Sequence, residues 1–378
     1  MAALFPEDEY AERLSRLRAV MAERGIDAVI ADECEMLHYF TGFTISENLY
    51  RCVVIPKAGT PTMVVRKLDE QPFVDTAWFS KRRAFADIED SVAVTAEVLK
   101  AEGAHAVGLD MNSYCMTAKR FQRLQALLPG ARFVDLSDVM RALRLNKSPR
   151  EIEVLKKAAL IADEAMRRCI AATIPGASSR TAQAAAANAF MDLGADVART
   201  GPITVGRGWN FMHGKPTTDP LGPGDILHVE LVPKVQGYCA RLMRPAVMGE
   251  PTAELAAAAA KLIEIQDQQI AAMVPGAKAR AVDAILREGA VKAGLRPDYV
   301  NNTGYTLGYY FEQAPRTSDF TRLFTPEADW TLEPGMVFHM YTSAAAGVAF
   351  SETVWVSADG PVRLTQLERK LFRCGEGG

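Results

Sequence analysis

One passage of the chain is said twice. Leu221-Gly-Pro-Gly-Asp-Ile-Leu-His-Val-Glu230 returns as Leu332-Glu-Pro-Gly-Met-Val-Phe-His-Met-Tyr341, with Gly224 matched by Gly335, 111 residues later. A second pair precedes each copy: Ile174-Pro-Gly-Ala-Ser-Ser-Arg180 and Val274-Pro-Gly-Ala-Lys-Ala-Arg280, 100 residues apart. Two matched pairs in one order and at nearly one offset mark an internal duplication, and the period is far too long for a solenoid. The expected result is two homologous half-domains packed as a pseudo-symmetric pair. A pocket between such halves, lined by the repeated strands, is the expected place for a site.

Around this core the chain reads as an α/β protein (α+β in its second part). Helical spacing runs from about Glu9 to Gly25, and apolar runs at Ala28–Ala31, Cys52–Ile55 and Thr62–Val65 read as strands. A helix near Ser91–Glu102, a strand at Ala106–Leu109, a helix at Thr117–Leu128 and a strand at Arg132–Val134 follow. No nucleotide-binding glycine fingerprint occurs, so this part is expected to serve as scaffold, dimer contact or lid. The domain boundary is placed at Asn146/Lys147, giving domains 1–146 and 147–378. Ser148 is a suitable N-cap there, Pro149 suits a first helical turn, and Glu151 adds early negative charge. Two helices ending near Thr173 and Gly194 precede the first strand pair, which is joined by a polar turn holding Pro233, Lys234 and Gln236. Helices at Thr252–Met273 and Ala279–Ala293 precede the second pair, Met336–Thr342 and Val348–Val356.

With a net charge of −3 and no basic stripe, nucleic acid is not an expected partner. No apolar run is long enough to span a bilayer, and three acids in the first ten residues do not resemble a signal peptide. Six cysteines scattered without a CxxC suit reduced thiols, and a cytoplasmic location is the expectation.

Candidate chemistry gathers at the repeat. If Glu230 faces the cleft, alternation sends His228 to the same side, and the duplication puts His339 and Tyr341 in the matching places. His213, on a loop of Gly, Lys, Pro and Thr, is an acid/base candidate because its side chain titrates near working pH. A hydrogen-bonded structural role stands as the alternative for His228 and His339. Glu230 in an apolar strand calls for a partner, which Arg241 or Arg244 on the next strand can supply. A purely structural ion pair is therefore the alternative there.

These residues carry a resemblance. The junction Lys147-Ser-Pro-Arg-Glu-Ile-Glu153, the blocks Pro223-Gly-Asp-Ile-Leu227 and Gly237-Tyr238, Gly304-Tyr-Thr-Leu-Gly308 and Leu332-Glu-Pro-Gly-Met-Val337 are similar to landmarks of the creatinase, prolidase and methionine aminopeptidase superfamily. That resemblance implies a creatinase-type N-terminal α/β domain, a C-terminal pita-bread domain with pseudo-two-fold duplication, and a homodimer. It aligns the places of the metal ligands with Glu230, Arg241, Tyr305, Tyr341 and Ser351. A guanidinium has no lone pair for a metal and a dinuclear site needs several anionic or imidazole ligands, so no metal and no cofactor are expected.

Within the superfamily the chain resembles the metal-free members, creatinase and the ectoine hydrolases. His213 matches the proton shuttle of creatinase, but the glutamates that grip its substrate fall at Met243 and Tyr341. The ectoine hydrolases are similar at Glu230, Arg244, Phe338-His339 and Ser351-Glu352, and at Arg66-Lys-Leu-Asp69 and Asp110-Met-Asn-Ser-Tyr114 in the first domain. The expectation is a metal-independent hydrolase of a non-peptide C–N bond in a small zwitterionic substrate. Glu230 would be base or nucleophile and His213 proton donor, with Tyr305, Tyr341 and His339 as hydrogen-bond donors to developing charge. Arg241 would grip a carboxylate and Glu312 or Glu352 a cation, with Arg244 and His228 completing the binding set; for Glu352 a plain ion pair with an arginine is the alternative. Aromatic packing is the alternative role for Tyr305 and Tyr341. An Xaa-Pro-type peptidase with an atypical metal site and a non-catalytic binding module are the competing readings of the whole chain.

Overall fold

The computed structural model describes residues 3–43, 49–309 and 321–376, and the chain divides into two compact units between Arg144 and Leu145. The first unit runs α1 (Glu7–Arg24), β1 (Ala28–Ala31), α2 (Cys34–Thr41), β2 (Cys52–Pro56), β3 (Thr62–Arg66), α3 (Glu70–Thr76) and β4 (Arg82–Phe85). It continues through α4 (Ser91–Ala101), β5 (Ala106–Leu109), α5 (Ala118–Leu127), β6 (Arg132–Asp135) and α6 (Ser137–Ala142). Its sheet has the order β4-β3-β2-β1-β5-β6, parallel at β1–β5, β5–β6 and β3–β4 and antiparallel at β1–β2 and β2–β3. One face packs on α1, α2 and α6 through Leu14, Leu17, Leu37 and Met140, the other on α4 and α5 through Leu99 and Leu124. With both faces covered, the strands read as continuous apolar runs, which is why they stood out in the sequence. α2, α3, α6 and β4 did not. They are short, and α2 is buried at every position, so it has no polar face to give it a period.

The second unit opens on α7 (Pro149–Ala172), where Ser148 and Glu151 form the reciprocal cap suggested by the sequence. The Glu151 N–H donates to Ser148 Oγ at 3.2 Å, and the Ser148 N–H donates to Glu151 Oε2 at 2.9 Å. After it come α8 (Ser179–Asp192), β7 (Ile203–Gly206), β8 (Ile226–Leu231), β9 (Lys234–Val235), β10 (Tyr238–Cys239) and β11 (Leu242–Val247). Then follow α9 (Ala253–Ala271), α10 (Ala279–Lys292), β12 (Gly304–Thr306), β13 (Val337–Ser343), β14 (Ala349–Ser357), β15 (Gly360–Arg363) and β16 (Phe372–Arg373). The connection expected as a plain turn between β8 and β11 is itself a hairpin. β9 and β10 pair antiparallel across Gln236 and Gly237, both with positive φ, as a tight two-residue hairpin requires. At Gly237 a side chain would also collide with the Tyr309 ring, 1.8 Å from the Cβ position.

The main sheet runs β12-β13-β14-β11-β8-β7, with β15 on β14 and β16 on β11. Its two halves mirror each other about the β11–β14 seam, and the duplication read from the sequence is realised in them. α7 and α8 cover the half with β8 and β11 through Met166, Phe190, Val229 and Leu242, while α9 and α10 cover the other through Ile270, Val282, Met340 and Val354. Directly paired residues of an antiparallel sheet share a face. Glu230 pairs with Met243, Met243 with Ser351 and Ser351 with Tyr341, so this row crosses the seam on one face. Glu230 and Tyr341 stand at its two ends, as the 111-residue offset implies.

Arg244 and Glu352, the chain neighbours of Met243 and Ser351, point to the helix-covered face, and the expectation that they bind substrate is corrected. Both side chains are wholly buried, with Arg244 Nη2 2.7 Å from Glu352 Oε1. The guanidinium also donates to the carbonyls of Met243, Ser351, Leu367 and Glu368. Thr365 donates its hydroxyl to Glu352 Oε2, and Arg369 Nε lies 3.4 Å from Oε1. This carboxylate ties β11 and β14 to the C-terminal segment, and removing its charge strands buried guanidinium groups. Glu352→Gln is expected to lower unfolding free energy by about 3–5 kcal/mol in chemical denaturation. A loss within experimental error would show that the pair is not what holds the seam.

Candidate active site

The face opposite the helices carries the polar residues that the sequence singled out. Glu230 is 3 % exposed and Arg241 4 %. Arg241 Nη2 lies 2.9 Å from Glu230 Oε1, so the structural partner considered for the carboxylate is present. Arg241 precedes β11 and is pinned by its backbone, since its N–H donates to Thr353 Oγ1 and its carbonyl accepts from the same hydroxyl. Its guanidinium stands 5.4 Å from the centre of the Tyr305 ring. The expectation that Arg241 grips a substrate carboxylate is therefore corrected: it is committed to Glu230. Behind the pair, a side chain at Gly201 would come within 2.5 Å of the Glu230 carbonyl oxygen and 3.1 Å of its Cγ. That close approach of backbone requires glycine.

Tyr305, His339 and Tyr341 form one aromatic cluster beside the pair. Tyr305 pairs with His339 across β12 and β13, their ring centres are 5.1 Å apart, and His339 stacks on Tyr341 at 5.3 Å. Both the packing role and the donor role considered for these residues are thus open to them. Tyr341 donates its hydroxyl to Asn302 Oδ1 at 3.2 Å. Burial, then the neighbouring Tyr299 and Glu230, push its phenol up, so it stays protonated and able to donate. Ser351, in the middle of the row, is wholly buried, and its hydroxyl has no hydrogen-bond partner among the described residues. A buried hydroxyl without a partner on a polar face is a donor in waiting.

His228 shares the Glu230 face by strand alternation, between Thr204 of β7 and Pro245 of β11. It is 1 % exposed, and its Nδ1 has no partner. Burial brings its pKa down to about 4, against the opposing pull of Glu230 and with a smaller push from His213. At neutral pH it is therefore a neutral imidazole. His213 is exposed on the loop after β7, where Met212 packs against Met243, Ala349 and Tyr341. The loop is thereby seated on the same face, and His213 and Glu230 both lie near enough to His228 to act on its charge. Glu312 falls outside the described residues.

Asn302, Trp209, Arg296 and Tyr299 belong to this neighbourhood and escaped the sequence reading. They lie in connecting segments, where no periodicity marks a direction, and only the duplication could have drawn attention to the stretch after α10.

The five positions aligned with metal ligands, Glu230, Arg241, Tyr305, Tyr341 and Ser351, do not fit a metal centre. Among the described residues no three His, Cys, Asp or Glu side chains converge as ligands. The anionic oxygen present already faces a fixed guanidinium, which repels a second cation.

Fold and site together define a two-domain hydrolase built on a duplicated, helix-backed sheet. Residues 153–358 match the model of metallopeptidase family M24 and residues 13–146 that of the creatinase/prolidase N-terminal domain, and the chain belongs to this family of hydrolases. Ectoine hydrolase of Halomonas elongata is 24 % identical over 97 % of this chain and 98 % of its own length. The Xaa-Pro dipeptidase of Pyrococcus furiosus is 26 % identical over 96 % and 99 %. Among solved structures, an Xaa-Pro dipeptidase from Bacillus anthracis superposes with a TM-score of 0.83 at 22 % identity, covering 96 % of this chain and 99 % of that one, which shows the shared fold. No helix among the described residues is long and apolar enough to cross a membrane.

The titration of His228 gives a pH test. Between its folded value of about 4 and its unfolded value near 6.5 the unfolded chain binds more protons. Stability from this group is therefore full above pH 6.5 and falls as the pH is lowered towards 4, by on the order of 3 kcal/mol. His38 in the first unit is shifted in the same direction by burial, so the comparison is with a variant. His228→Gln is expected to flatten the acid limb of stability against pH. An unchanged limb in the variant would mean that His228 is not held neutral.

Proposed function

We propose that the protein is a metal-independent hydrolase that cleaves a non-peptide C–N bond in a small zwitterionic compound, a cyclic amidine such as ectoine or another amino-acid derivative. The observation that carries this reading is the buried Glu230–Arg241 pair. A guanidinium stands beside the one carboxylate where a metallopeptidase would need further anionic ligands. Full-length similarity to an ectoine hydrolase supports the substrate class.

In this mechanism Glu230 takes a proton from water as the water oxygen adds to the electrophilic carbon, and Arg241 keeps the carboxylate oriented. The tetrahedral adduct places negative charge where Tyr341, Tyr305, His339 and Ser351 present hydrogen-bond donors. Each well-aimed donor contributes roughly 2–4 kcal/mol to the transition state. His213, exposed on its loop, delivers a proton to the leaving nitrogen as the C–N bond breaks. Direct attack by Glu230 with a covalent intermediate is the variant of this scheme. We also infer from the family that the protein works as a homodimer in the cytoplasm.

The second reading, an Xaa-Pro peptidase with an atypical metal site, draws on full-length similarity to the P. furiosus dipeptidase. Two measurements separate them. Purified protein treated with chelator is expected to keep its activity, and to release product from ectoine or a related compound rather than from Ala-Pro. Activity lost with a stoichiometric metal and restored by it would establish the peptidase. His213→Ala and Glu230→Gln are each expected to cut kcat by at least about 100-fold while the fold is retained, and Tyr341→Phe by about 10- to 100-fold. Full turnover in either of the first two would remove the assigned roles, and absence of turnover on every compound would favour a binding module.

A further inference from the structure

We propose that Arg296 is the anchor for a carboxylate carried by the substrate. The inference rests on reading the Glu230 face as the place where a small zwitterion reacts. Such a substrate brings a carboxylate, and the two arginines of the expected binding set are paired already, Arg241 with Glu230 and Arg244 with Glu352. Arg296, between α10 and β12, is 5 % exposed. Among the described residues no carboxylate pairs with it. Its hydrogen bonds go to neutral oxygens at long range, Nη1 donating to Ser343 Oγ at 3.4 Å and Nη2 to Asn301 Oδ1 at 3.2 Å. A guanidinium has five N–H donors, so most of this buried cation's capacity is uncommitted.

Its surroundings dictate how that capacity is offered. The Trp209 ring lies 4.1 Å from its Cζ and the Tyr299 ring 4.2 Å. Stacked aromatic rings stabilise the charge, hold the group in plane, and leave its edge as the direction for hydrogen bonding. An edge-on guanidinium is the complement of a carboxylate, which it meets through two parallel N–H···O bonds.

The position fits the site. Ser343 follows Tyr341 by two residues on β13 and so shares its face. Arg296 and Glu230 both act electrostatically on the Tyr341 hydroxyl, in opposite directions. Trp209 lies on the same loop as Met212 and His213. A carboxylate on Arg296 would thus set the substrate's reactive carbon toward Glu230 and its nitrogen toward His213, with Tyr341 between.

The test uses the Trp209 ring as reporter. Tryptophan fluorescence of the whole protein is titrated with ectoine, creatine and Ala-Pro, each beside its carboxamide, while amine release is followed in the same samples. At least one carboxylate is expected to bind saturably, its carboxamide at least 10-fold more weakly, with the signal lost in Trp209→Phe. Arg296→Met should abolish the preference for carboxylate, and for any hydrolysed compound raise KM at least 10-fold with little change in kcat. Should that variant fail to fold, Arg296→Lys keeps the charge without the fork and should show a reduced preference. The anchor is overturned if carboxylate and carboxamide bind alike, if none of the three carboxylates binds, or if the preference survives the loss of Arg296. A residue that only clamps the loop would lower kcat and leave the preference intact. Carboxylate binding lost with Arg296 but without hydrolysis would sink the hydrolase reading and keep the anchor. Hydrolysis indifferent to Arg296 would do the reverse.

Discussion

Where β11 meets β14, Met243 stands opposite Ser351, and the consequences of that pairing reach every functional side chain. It joins the two copies of the duplicated motif into one sheet and sets which residues share a face. Because side chains alternate along a strand, a slip of one residue on either side would exchange Glu230 and Tyr341 with apolar neighbours. It would also bring Arg244 and Glu352 out of the core. The seam is guarded accordingly, by an ion pair buried among backbone carbonyls on the helix side and by the Thr353 hydroxyl locking Arg241 on the other.

On the open face the charges are arranged as a series. Glu230 and Arg241 neutralise each other at one end of the row, the neutral His228 imidazole shares their face, and the protonated Tyr341 phenol stands at the other end. An uncompensated guanidinium between two aromatic rings stands beyond. Among the described residues no three His, Cys, Asp or Glu side chains converge on this face as metal ligands.

Much of the fold was readable before any coordinates. The duplicated Pro-Gly and Gly-x-x-x-His motifs announced two half-domains, and they lie symmetrically about the seam. The cap at Ser148, Pro149 and Glu151 marked where the second unit's first helix begins, because that chemistry is local and repeats wherever a helix starts. Long amphipathic helices and doubly buried strands were equally plain. α2 escaped notice because every one of its residues is buried, and the hairpin of β9 and β10 because two residues per strand leave no pattern.

The sequence by itself determined the duplication, the two-part organisation and the presence of Glu230, His213 and the tyrosines near one another, since motif spacing and strand period carry that much. Tertiary structure alone decided which arginine meets which carboxylate. Arg241 and Arg244 differ by three positions, hence by one face of a strand, and no local preference reveals which face turns toward the helices. That is set by cross-strand register and by the burial of Val229, Leu242 and Val354 against helices distant in the chain. Arg296 is the same lesson from a loop: the Trp209 ring against it comes from a segment distant in the chain, and only packing brings the two together.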